Sequence, residues 1–144
     1  MSSNERFKET EIGFIPESWD FLKIEDIKSN EKRSVITGPF GSNISSKFFV
    51  DEGIPVIRGN NLTNDLNRFK DDGFVFITSE KADELKAWAL SEDIIITAAG
   101  TLGQVGIIEK GSKFEKYVIS NKQMRLRVNK NIIKPFKCLA KYAL

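Results

Sequence analysis

Strand-like runs of three to six residues, each closed by a glycine- or asparagine-marked loop, follow one another along this chain in a fixed order. That punctuation confines the fold to short strands joined by tight turns, because glycine and asparagine tolerate backbone conformations that end a strand. Residues 35–37 (Val-Ile-Thr) run into a Gly38-Pro39 turn, and residues 54–58 run into Gly59-Asn60-Asn61. Pro55 marks that second run as an edge strand or as the start of one. Asp71-Asp72-Gly73 is a turn signal ahead of a third run at 74–77. Residues 93–97 and 104–109 read as two strands joined by a loop containing Gly100 and Gly103. Residues 123–128 alternate cleanly, with Met124, Leu126 and Val128 on one face and Gln123, Arg125 and Arg127 on the other.

Helical pattern is sparse. The strongest stretch is 79–88, with Ser79 as its cap, Glu80 and Asp83 in its first turns, and Ala82, Leu85 and Trp88 near one face. A second pattern opens at Pro135, which suits a first helical turn. Phe136, Leu139, Ala140 and Ala143 form its stripe, with Lys134, Lys137 and Lys141 beside it. It runs to Leu144 without a cap or glycine stop, which predicts a fragment boundary there. Residues 1–11 read as a flexible lead-in; Trp19, Phe21, Leu22, Ile24 and Ile27 are the first candidates for inward packing. The expected fold class is α/β (α+β), with a curved, mainly antiparallel sheet and a few short helices.

Composition narrows the function. A chain of 144 residues with 40% hydrophobic and 29% charged residues describes one soluble globular domain. Its eleven phenylalanines predict an aromatic core. No apolar stretch is long enough to span a bilayer, and the N-terminus carries no apolar signal core, so a cytoplasmic location with no membrane partner is expected. There is no histidine, which removes the usual general base, the Ser-His and Cys-His nucleophile pairs and most zinc sites. The single cysteine, Cys138, excludes an intrachain disulfide. A net charge of +2 does not decide for or against nucleic acid.

The motifs that invite catalysis do not hold together. Gly100, Gly103 and Gly106 have G-x-x-G-x-x-G spacing rather than a dinucleotide fingerprint, and a strand follows them where a phosphate loop would run into a helix. They read as turn-makers. Asp93 beside Thr97 lacks a second carboxylate and suits turn bonding. Asp71-Asp72 and Asp51-Glu52 read as solvated turns, since no ligands repeat at calcium-loop spacing. Asn60-Asn61 has no following proline, so an adenine-methylating motif is absent. The amides are more informative as a set. Asn60, Asn61, Gln104, Asn121 and Gln123 cluster at strand ends beside Arg58, Lys122 and Arg125. Amides can pair with adenine, and Arg or Lys with guanine or phosphate.

In their order, Ile12-Gly13-Phe14-Ile15-Pro16, Trp19, Gly38-Pro39-Phe40-Gly41-Ser42, Ile54 to Asn61, Asp93 to Thr97, Gly100-Thr101-Leu102-Gly103 and Ser120-Asn121 form a set. That set resembles the target recognition domain of type I restriction-modification specificity subunits. The likeness covers roughly residues 11–129. It implies sequence-specific binding of double-stranded DNA, one half-site of a bipartite target being read by a non-catalytic domain. It further implies a domain at 12–131 and the start of a truncated spacer helix at 132–144. The implied partners are DNA methyltransferase (modification) subunits and a restriction subunit. Those partners would use S-adenosylmethionine and ATP, with no cofactor in this chain. The candidate DNA contacts are Lys47, Arg58, Asn60, Asn61, Thr101, Gln104, Lys122, Gln123 and Arg125; Gly38, Gly41, Gly59, Gly100 and Gly103 would shape the loops. The alternative is a truncated interaction module that binds a methyltransferase subunit without reading DNA, and an enzyme using carboxylates alone ranks last.

Overall fold

The computed structural model describes residues 6–63, 69–101 and 103–132. Their elements, in chain order, are β1 (Phe7–Thr10), β2 (Gly13–Pro16), α1 (Ile24–Ile27), β3 (Val35–Thr37), β4 (Ile54–Ile57), β5 (Val75–Ile77), α2 (Ser79–Leu85) and β6 (Trp88–Ala89). They continue with β7 (Ile94–Thr97), β8 (Val105–Ile107), β9 (Tyr117–Ile119) and β10 (Gln123–Leu126). The helix expected from Pro135 lies outside the described residues. No helix among the described residues is long and apolar enough to cross a membrane.

The strands form three sheets, mostly antiparallel, and the fold is α+β with a sheet-dominated core. One sheet runs β3-β10-β7-β8 and another runs β5-β4-β9-β6, while β1 and β2 make a separate hairpin. Within the second sheet β4 and β9 are parallel, with Val56 opposite Val118 and Ile57 opposite Ile119. Parallel neighbours need a long crossover, and here the chain makes β5 to β8 before it returns as β9. The strand containing Pro55 is therefore central, not an edge. The ring costs no ladder bond to β9, because pairing with that strand starts one residue later at Val56.

The β7 strand separates the two hydrophobic clusters. Ile95 joins Val56, Ile57, Ile77, Ala89, Val118 and Ile119, whereas Ile94 packs with Ile27, Val105, Ile107, Leu126 and Val128. Burial on both faces explains why residues 94–96 are uniformly apolar rather than alternating. The same burial corrects the expectation for 123–128. Arg125 stands opposite Ile36 on one side and Ile95 on the other, so its side chain lies in an enclosed row and is 4% exposed. The alternation is real, yet on the polar face Gln123 and Arg125 are buried and only Arg127 is partly exposed.

Several local expectations shift by a residue or two. Helix α2 is capped by Thr78, whose hydroxyl accepts from the Lys81 N–H at 3.1 Å, rather than by Ser79. It stops at Lys86, which has φ 55°, because Trp88 and Ala89 leave the helix to pair with β9. Residues 7–10, expected in the lead-in, pair with β2. Of the inward candidates at 19–27 only Ile27 is deeply buried; Trp19, Leu22 and Ile24 are exposed.

Phe69, Phe74, Phe114 and Tyr117 stack edge-on and tilted against one another at 5.5–6.2 Å between ring centres. Phe76 adds a further contact to Phe114. Tyr117 is fully buried, and its hydroxyl donates to Asp71 Oδ1 at 2.6 Å. Asp71 Oδ2 accepts from the Lys113 N–H at 2.7 Å, so this carboxylate ties two loops together and is not the solvated turn residue expected. Burial first, then the bond to Asp71, pushes the Tyr117 phenol up from 10.0 to about 12. A group whose folded pKa is raised stabilises fully below its unfolded value and loses that contribution as pH climbs. Stability should therefore fall between pH 10.0 and about 12. Denaturation series across that window should show a steeper decline for the wild type than for Tyr117→Phe.

Candidate functional site

Three loops converge where the two four-stranded sheets meet. The first leaves β4 as Arg58-Gly59-Asn60, the second joins β7 to β8, and the third is the Ser120-Asn121-Lys122 turn between β9 and β10. Because β9 and β10 belong to different sheets, that last turn crosses from one sheet to the other. The loops are tied by backbone bonds. The N–H groups of Ala98 and Ala99 donate to Lys122 O at 2.7 and 3.2 Å, and the Ser120 N–H donates to Ile57 O at 3.0 Å. Gly38 is where the approach is closest: a β-carbon there would overlap the carbonyl oxygen of Ser120. Gly100 and Gly103, with φ of 96° and 87°, make the β7–β8 turn in a region that other residues rarely enter.

Between the loops lies an open cleft of about 760 Å³. It gathers Arg58, Asn60, Thr101, Gln104, Lys122 and Gln123 from the expected contacts, together with Gly59 and Gly100. Ile44, Phe49 and Val56 supply apolar wall. Among the described lining residues there is no carboxylate, and Arg58 and Lys122 give that lining a positive charge. The Arg58 guanidinium reaches Gly73 O at only 3.5 Å, and its Nε is buried with no hydrogen-bond partner among the described residues. Gly41 and Gly59 back the cleft: a β-carbon on Gly41 would lie 3.2 Å from Asn121 Nδ2, and one on Gly59 would lie 3.2 Å from Gln104 Oε1.

Three of the expected contacts stand elsewhere. Asn61 is fully buried, accepts from the Arg58 N–H at 3.0 Å, and donates to Lys70 O and Asp72 O at 2.9 Å each. It is a brace beneath the Arg58 loop rather than a contact. Arg125 donates through Nε to Trp88 O at 3.0 Å and through a terminal nitrogen to Arg33 O at 2.5 Å. It thereby satisfies a carbonyl on β6, the edge strand of the neighbouring sheet. It lines a separate groove with Arg33, Lys86, Trp88 and Lys116. Lys47 lies on a turn away from the cleft, with Nζ 5.0 Å from the centre of the Phe48 ring. Gln123 reaches the cleft floor but is 1% exposed.

Thr97 and Ser120 line the cleft and were not among the expected contacts. Their signal was weak: a hydroxyl ending an apolar strand is ordinary turn chemistry. What singles them out is register, since Thr97 stands opposite Gln123 across the β7–β10 pair. Among the described residues no group of three or more His, Cys, Asp or Glu side chains could hold a metal ion. No protein-family model matches the chain.

Proposed function

We propose that this domain binds double-stranded DNA sequence-specifically, reading one half-site of a bipartite target as part of the specificity subunit of a type I restriction-modification system. The observation that carries the proposal is the cleft where three loops converge: Arg58 and Lys122 beside Asn60, Thr101, Asn121 and Gln104, with no carboxylate among the described lining residues. Such a surface attracts a polyanion through its cations and offers amides and a hydroxyl that can meet base edges. The ordered motifs from Ile12 to Asn121, which resemble the recognition domain of those subunits, support the same function. On this proposal the chain is not an enzyme. Methylation and cleavage belong to modification and restriction subunits that use S-adenosylmethionine and ATP, and the complex works in the cytoplasm.

Binding to a randomised duplex pool, measured over a range of salt concentrations, tests it. Affinity should fall linearly on a log-log salt plot. Arg58→Ala and Lys122→Ala should each weaken all sequences and reduce the slope by about 1 if each contacts a phosphate. Absence of duplex binding at low salt would sink the proposal.

A second function, docking on a methyltransferase subunit without reading DNA, is favoured by the β1–β2 hairpin. Phe7 and Phe14 project from one face of it and are 59% and 73% exposed. That alternative predicts capture of the methyltransferase subunit in the absence of DNA, with capture lost in a Phe7→Ser, Phe14→Ser variant and unaffected by Lys122→Ala.

A further inference from the structure

Four side chains along the cleft floor form a directed hydrogen-bond chain. It begins at a group that can only donate, the Lys122 backbone N–H, 3.5 Å from Ser120 Oγ. The Ser120 hydroxyl donates to Gln123 Oε1. Gln123 Nε2 donates to Thr97 Oγ1 at 3.4 Å, and the Thr97 hydroxyl donates to Gln104 Oε1 at 3.1 Å. A hydroxyl has one hydrogen to give. Thr97 accepts from Gln123 Nε2 and gives its one hydrogen to Gln104, whose oxygen is the end turned inward. Ser120, Gln123 and Thr97 are 7%, 1% and 5% exposed, so water does not compete along the run.

The consequence appears at the cleft surface. Gln104 Oε1 is engaged by Thr97 and packed against Gly59. Among the described residues nothing accepts from its Nε2. Beside it the exposed Lys122 ammonium can only donate, while Asn60, Thr101 and Asn121 carry both donors and acceptors. A glutamine that pairs bidentately with adenine needs both its oxygen and its nitrogen available. This one offers only N–H groups.

We infer that Gln104 presents only its Nε2 hydrogens to the cleft and reads guanine, through O6, rather than adenine. Thr97, Gln123 and Ser120 are positioning residues that fix which end of the Gln104 amide is presented. Adenine is disfavoured because its N6 amino group would meet the Gln104 N–H where guanine offers O6. The inference rests on the DNA-binding proposal above and adds the class of base and the residues that select it.

Binding-site selection from a randomised duplex pool, with the whole chain as wild type, Gln104→Glu and Thr97→Val, tests it. The wild type should enrich guanine at a position where Gln104→Glu loses that preference. Thr97→Val, which frees the amide to turn over, should admit adenine there on the order of tenfold more readily. Placing O6-methylguanine at that position should weaken wild-type binding by about the same factor while 7-deazaguanine leaves it unchanged; the reverse pattern would put the contact at N7, which adenine shares, and overturns the inference. Enrichment of adenine at that position, or equal weakening of all sequences by Gln104→Glu, overturns the inference while DNA binding itself stands. Failure to bind any duplex defeats the underlying proposal instead. Side-chain amide exchange in the free protein gives an independent readout. The Gln123 amide protons should exchange slowly, those of Gln104 rapidly, and Thr97→Val should accelerate Gln123. Protection of Gln104, or rapid exchange of Gln123 in the wild type, overturns the hydrogen-bond chain on which the inference depends.

Discussion

Asp93→Ala should lower the unfolding free energy by about 3–5 kcal/mol, the range for breaking a buried ion pair from one side. Asp93 is 1% exposed. Its Oδ1 accepts from Arg127 Nε at 2.8 Å, and its Oδ2 accepts from another Arg127 nitrogen at 2.7 Å and from the Leu90 N–H at 2.8 Å. Arg125 Nε lies 3.7 Å from the same carboxylate. The two arginines respond in opposite directions. The bonds to Asp93 and Glu31 hold Arg127 well above the ordinary arginine value against burial, whereas burial and the neighbouring Arg127 charge pull Arg125 down. Without Asp93 both guanidinium groups keep their desolvation cost and lose their shared counter-charge. Guanidinium chloride distorts charge effects, so urea titrations at low and high salt are the measurement to use. A large loss that barely changes with salt marks a buried, poorly screened network. A loss below about 1 kcal/mol, in the range of exposed pairs, would show that water reaches it. As a contrast, breaking the exposed pair of Lys130 with Glu92, 2.9 Å apart, should cost little.

The second large effect is at Asn61. Asn61→Ala removes the partner of three backbone groups, the Arg58 N–H and the carbonyls of Lys70 and Asp72. At about 1 kcal/mol for each hydrogen bond lost, and more where a group stays buried and unsatisfied, the expected destabilisation is about 3 kcal/mol. Loosening the Arg58-Gly59-Asn60 loop should also weaken DNA binding evenly across sequences. An altered preference at one base position would instead make Asn61 a base-reading residue. Thermal unfolding and site selection on the same variant separate these outcomes. Asn61→Asp sharpens the comparison, because it retains the acceptor for Arg58 but places a carboxylate against two carbonyl oxygens.

The difference between Asn60 and Asn61 shows how far the sequence reaches. Two adjacent asparagines after a strand look equivalent, and turn chemistry explains either. The short helical turn at Gly59–Asn61 carries Asn60 to the cleft and turns Asn61 onto the 70–72 segment. Gln104 and Gln123 differ in the same way: one ends in the cleft with a free nitrogen, the other is sealed beneath it. Which amide braces and which one is presented depends on segments tens of residues away, which periodicity does not report.

Glycine was legible as turn chemistry at Gly100 and Gly103, where positive φ is a local property. The reason for Gly38 was not legible, because it lies in the Ser120 carbonyl that packs against it from another part of the chain. The β9 strand was missed as well. Its three residues, Tyr117–Ile119, are buried on both faces and present no alternation to detect. The N-terminal pairing of Phe7–Thr10 with Gly13–Pro16 was hidden by mixed charge, since its faces remain largely exposed and carry no apolar period.

By itself the sequence determined where most strands begin and end, that the folded domain is built from short, mainly antiparallel strands, and which loops to look at. Those features follow from local conformational preference and from hydrophobic spacing over a few residues. The tertiary structure decided the environment of each polar side chain. It buried Gln123 and Arg125, set Arg125 across the gap to β6, and brought the ends of β4, β7 and β9 together around one cleft. The physical reason is register between distant strands: pairing Arg125 with Ile36 and Ile95 fixes which face is covered. A side chain's hydrogen bonds are then set by whatever partner that covering supplies.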